Sequence, residues 1–147
     1  MTGVDFYFNA ADKLQVACRL AGKALAQGKR LLIYAPQADT AQSIDRLLWT
    51  WPATGFVPHC RAGDALAADT PVLIADAADA ADAAARCDIL LNLGRETPPA
   101  FERFERLLEV VARDDGDRQA ARERYRFYRE RGYRVADHDL AGASRGE

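Results

Sequence analysis

The sequence predicts a single three-layer α/β domain with a mainly parallel central sheet and helices on both faces. Three observations carry this. Segments of strand and helix character alternate along the chain. Leu31-Leu-Ile-Tyr-Ala is apolar throughout, which suits a strand buried on both faces. The first two helical segments each turn apolar residues to one side, as helices covering a sheet do. With 147 residues and 16.2 kDa, the chain is large enough to bury one core without disulfide or metal staples.

The elements follow in order. Val4-Asp-Phe-Tyr-Phe alternates and is aromatic-rich, so it reads as a first strand. Asp12 opens a helix, with Gln15 completing a capping-box pattern, and Leu14, Ala17, Cys18, Ala21, Ala24 and Leu25 recur at helical spacing. Gly28 stops it. Leu31 to Ala35 is the second strand, ended by Pro36, and a second helix runs from about Ala38 to Thr50 with Ile44, Leu47 and Leu48 inward. Trp51-Pro-Ala-Thr-Gly is turn chemistry and Phe56-Val-Pro-His a short extended piece. Val72-Leu-Ile-Ala and Asp88-Ile-Leu-Leu-Asn-Leu are further strands. Between them, Ala75 to Ala85 is a low-complexity stretch whose aspartates, Asp76, Asp79 and Asp82, read as a solvated helical turn or loop rather than a metal site. Pro98-Pro99 begins a short helix around Ala100 to Phe104, and Leu107-Leu-Glu-Val-Val-Ala reads as a strand. Asp114-Asp-Gly is a turn, and Asp117 is expected to cap a last helix from Arg118 to about Arg131, ended by Gly132. Tyr133 to Leu140 is a final extended segment. Residues 1–140 make one domain, and 141–147 a frayed tail.

Composition excludes several classes. Apolar residues make up 49% and charged residues 29%, a globular rather than disordered profile. A net charge of −2 and a pI near 5.7 argue against a protein that coats nucleic acid with its whole surface. No apolar run approaches a membrane span, and Met1-Thr-Gly-Val-Asp lacks the features of a signal peptide. Three widely spaced cysteines, Cys18, Cys60 and Cys87, form neither a disulfide framework nor a zinc motif, and a reducing cytoplasm is the simplest setting. His59 and Cys60 are adjacent; a Cys–His catalytic pair competes with a strand-end histidine whose ring bonds to backbone. Glycine-rich phosphate loops, GxSxG and HExxH are all missing. No catalytic residue, cofactor or metal is assigned.

One constellation stands out. From Arg118 to Arg134 there are seven arginines and two acids, Glu123 and Glu130. At helical spacing Arg118, Arg122, Tyr125 and Arg129 fall within roughly a 60° arc. Three guanidinium groups and a phenol ring on one face suit an acidic peptide or a phosphate backbone. The competing readings are a solvated face of good helix formers, or arginines tied up by Glu123 and Glu130. Trp49, Trp51 and Phe56 form a second cluster that serves either as core anchors or as an apolar docking patch.

The chain resembles the chi subunit family of bacterial DNA polymerase III, a component of the clamp-loader assembly. The resemblance rests on Phe6-Tyr7, Gly28-Lys-Arg-Leu-Leu-Ile, Leu48-Trp-Thr-Trp-Pro-Ala-Thr-Gly-Phe-Val-Pro-His, Asp88-Ile-Leu-Leu-Asn-Leu, Ala121-Arg-Glu-Arg-Tyr-Arg-Phe-Tyr-Arg and Gly132-Tyr. Order and spacing hold from about Val4 to Leu140. The stretch from Ala75 to Ala85 and the tail after Leu140 carry no family pattern.

The resemblance implies a Rossmann-like fold without a phosphate loop, and a non-catalytic, cytoplasmic linker. One surface would meet the psi subunit, through Trp49 and Phe56. Another would bind the acidic C-terminal tail of single-stranded-DNA-binding protein, through Val111, Arg118, Arg122, Tyr125 and Arg129. That tail ends in aspartates followed by proline and phenylalanine. DNA would be reached indirectly, through the coating protein, and a helicase-like partner is an alternative occupant of the psi surface. Two other functions compete: direct single-stranded-DNA binding through the arginine helix, and a small-molecule-binding α/β enzyme.

Overall fold

The computed structural model describes residues 2–50 and 57–143. Among these, seven strands form one sheet in the order β3-β4-β2-β5-β6-β1-β7, and every pairing is parallel. The strands are β1 (Gly3–Ala10), β2 (Leu31–Tyr34), β3 (His59–Arg61), β4 (Val72–Ala75), β5 (Ile89–Asn92), β6 (Arg106–Ala112) and β7 (Arg134–Asp139). The helices are α1 (Lys13–Ala26), α2 (Ala38–Thr50), α3 (Ala77–Ala83), α4 (Asp115–Glu130) and α5 (Leu140–Ala143). The sheet is therefore wholly parallel.

Side-chain alternation splits the interior into two layers. Leu31, Ile33, Leu91, Leu108 and Val110 pack with α1 and α2. Leu32, Tyr34, Leu90, Leu107 and Val111 face the other way, with Val4 and Phe6 of β1, and pack with α3 and α4. An all-parallel sheet needs both faces covered, because its connections are helical crossovers. That is why the inner strands read as unbroken apolar runs.

Local rules set most boundaries. Asp12 accepts from Leu14 N at 3.1 Å and Gln15 N at 3.2 Å, a cap worth about 1 kcal/mol. Gly28 ends α1 at φ +71°, a left-handed conformation that disfavours a side chain.

Other boundaries differ from expectation. The cap of α4 is Asp114, whose carboxylate accepts from Asp117 N at 2.9 Å, and not Asp117. Asp117 is buried instead, accepting from Ala112 N at 2.7 Å and pairing with Lys13 at 3.2 Å. The helix expected at Ala100–Phe104 is a single 3₁₀ turn, Phe101–Arg103, entered through Ala100 at φ +58°. Of the extended piece expected at Phe56–His59, Phe56 lies outside the described residues, and His59 opens β3. The Ala/Asp stretch takes the helical one of its two expected forms, as α3 and a following 3₁₀ turn, Ala84–Arg86.

Candidate functional site: a cationic groove along α4

The helix α4 runs back over the sheet between β6 and β7, and β1 lies between those strands. Phe6 and Phe8 are two residues apart on β1, so both point to the α4 side. They form a floor with Val111, near the end of β6, and Ala121. Arg118, Arg122, Tyr125, Arg126 and Arg129 make one wall, and Asp137 of β7 stands on the other. The resulting groove has a volume of about 520 Å³.

The five residues expected to form a peptide site, Val111, Arg118, Arg122, Tyr125 and Arg129, all line this groove. Val111 is buried, Tyr125 half-buried and the three arginines exposed. Tyr125 packs against Phe6 with ring centroids 5.1 Å apart. Its hydroxyl donates to an Asp137 carboxylate oxygen at 3.3 Å and accepts from Arg129 Nη1 at 3.5 Å. The Arg129 guanidinium also lies 5.8 Å from the Tyr125 ring centroid, within cation–π range. Among the described residues no carboxylate pairs with Arg118, Arg122 or Arg126, so Glu123 and Glu130 do not neutralise the wall.

Beneath the helix is a second set of groups that the sequence reading did not single out. Arg124 and Tyr128 point into the sheet and meet Glu109, which is fully buried. Arg124 Nε donates to Glu109 Oε1 at 3.1 Å and Tyr128 donates to Oε2 at 2.6 Å. Asn92, paired with Glu109 across β5 and β6, donates to Oε1 at 2.9 Å. Arg124 Nη1 reaches the Arg95 carbonyl at 2.6 Å. Burial pushes the Glu109 carboxyl up from its ordinary range, against the pull of these three donors. Burial and the neighbouring Glu109 push the Tyr128 phenol up as well, so it stays a donor. This network fixes which side of α4 faces the sheet, and so which side faces solvent.

The remaining expectations fall elsewhere. Trp49, at the end of α2, is 58% exposed and meets the His59 ring edge-on at 4.8 Å. Trp51 and Phe56 lie outside the described residues. His59 Nδ1 sits 2.7 Å from the Val57 carbonyl, and Nε2 3.1 Å from both the carbonyl and the carboxylate of Asp45, so its ring is held by backbone and by Asp45. Cys18 and Cys87 are buried, and burial pushes their thiols up to about 12 and about 11, away from nucleophilic use. The crevice at the C-terminal strand ends, where open α/β sheets take ligands, is lined in part by the Lys13–Asp117 pair at 3.2 Å. Among the described residues, no group of three or more His, Cys, Asp or Glu side chains is placed to hold a metal ion, and no helix is long and apolar enough to cross a membrane.

Residues 1–136 match the family model described as DNA polymerase III chi subunit, HolC. The chain is 38% identical over 144 residues to the DNA polymerase III subunit chi of Pseudomonas aeruginosa, covering 95% of this chain and 98% of that one. It is 32% identical over 126 residues to the subunit chi of Haemophilus influenzae, covering 86% of each chain. It is 34% identical over 121 residues to that of Escherichia coli, covering 82% of this chain and 81% of that one. The chain belongs to the DNA polymerase III chi subunit family.

Proposed function

We propose that this member of the chi family is a non-catalytic bridge of the bacterial replicase. Its α4 groove takes the acidic C-terminal tail of single-stranded-DNA-binding protein, and the end of the molecule around Trp49 meets psi or, in its place, a helicase-like partner. The observation that carries the reading is the convergence of Val111 from β6 with Arg118, Arg122, Tyr125 and Arg129 from α4 on one groove. The chemistry of that groove supports the choice of ligand. Phe6, Phe8 and Val111 offer an apolar seat for a terminal aromatic ring, and the arginines beside it suit a carboxylate. The two docking regions lie at opposite ends of the sheet. Trp49 stands beside the β3 edge and the groove over β1 and β7, about 24 Å apart at the spacing of neighbouring strands. A bridge between two partners needs such separation.

The test is titration of a labelled acidic tail peptide by fluorescence anisotropy. Arg122→Ala weakens binding about tenfold, the value of a charge-assisted hydrogen bond. Affinity in the wild type falls as salt rises. Unchanged affinity in the variant rejects the site. A shift of naked single-stranded DNA that Arg122→Ala abolishes assigns the groove to DNA instead.

A further inference from the structure

An acidic residue is out of place in a groove for acidic peptides, and Asp137 is one. It stands on β7, across the β1 floor from the α4 arginines, and its side chain is exposed. Its carboxylate accepts from the Tyr125 hydroxyl at 3.3 Å, and that hydroxyl sits 3.5 Å from Arg129 Nη1. The groove is therefore polarised across its width, cationic along α4 and anionic at β7. The Tyr125 hydroxyl thus lies between the two walls, within reach of both Asp137 and Arg129.

We propose that Asp137 is a specificity-determining residue of this groove: it turns carboxylates away from the β7 wall, so that a peptide seats only with its acids toward α4 and an uncharged group toward β7. The inference rests on the tail-binding reading and deepens it. Cationic wall alone would hold any acidic peptide. A fixed negative charge on one wall selects among acidic sequences of equal net charge by where along the chain their acids fall.

Two labelled peptides of identical composition decide the matter. In one, aspartates precede a C-terminal proline and phenylalanine; in the other, the proline and phenylalanine precede the aspartates. Asp137→Asn keeps an acceptor for Tyr125 and removes the charge. The permuted peptide then binds about fivefold more tightly, while the first changes by less than twofold, since like-charge juxtaposition acts on the wrong partner. An equal gain for both peptides makes Asp137 a general surface charge and overturns the proposal, as does no gain for either. Arg122→Ala, run in parallel, separates the two ideas. If it leaves the first peptide unaffected, the groove reading itself fails. If it weakens that peptide while Asp137→Asn has no selective effect, only the role of Asp137 fails.

Discussion

Arg122 and Arg124 are two residues apart on one helix, yet they live under opposite physics. Arg122 is exposed, and its guanidinium faces a solvent-filled groove. Arg124 is 3% exposed and locked onto Glu109, with Nη2 left without a partner among the described residues. A buried ion pair carries a large desolvation cost and holds only while both partners remain. An exposed guanidinium carries almost none of that cost and contributes little to stability. The same residue type thus orients α4 on one side and is free to bind on the other. Arginine content alone says nothing about which role a given residue plays; the side of the helix decides.

The sharpest way to break this comparison is to remove Glu109. Glu109→Ala leaves a guanidinium buried without its carboxylate and costs about 3–5 kcal/mol in denaturant unfolding. If the pair is expendable once removed together, Glu109→Leu with Arg124→Leu recovers most of that loss. A single variant as stable as the wild type means the network does not hold α4. Tyr128→Phe is milder. It strips one donor from Glu109 Oε2 and costs about 1–2 kcal/mol by the same measurement. On the opposite side, Arg118→Ala changes stability by less than about 0.5 kcal/mol. It weakens the acidic peptide only a few-fold, because Arg122, Arg126 and Arg129 remain on the wall. A large stability loss at Arg118 erases the distinction between the two sides.

The two sides were also unequally legible in the sequence. The exposed stripe is a local pattern: four positions at helical spacing, visible without knowing what the helix packs against. Arg124 was hidden among those same arginines. The signal that identifies it lies fifteen residues upstream, where Glu109 interrupts the apolar run Leu107-Leu-Glu-Val-Val. A carboxylate in a doubly buried strand requires donors, and Arg124 and Tyr128, four apart, are the ones the next helix brings. Phe8 and Asp137 were missed for another reason. They join the groove through the pairing of β1 with β7, and strand order is not written in local spacing. The misplaced cap is a matter of competition. Asp114, Asp115 and Asp117 are all able caps, but Asp117 is claimed by Ala112 N and Lys13.

The position of β1 has a consequence for how the molecule comes into being. Gly3 to Tyr7 pair with residues 106–110 on one edge and 134–138 on the other. During translation the first strand leaves the ribosome long before either neighbour exists. Phe6 and Phe8 have no cover until α4 and β7 follow to pack beside them. The groove is assembled from segments more than a hundred residues apart, so a product that stops before β7 lacks one of its walls.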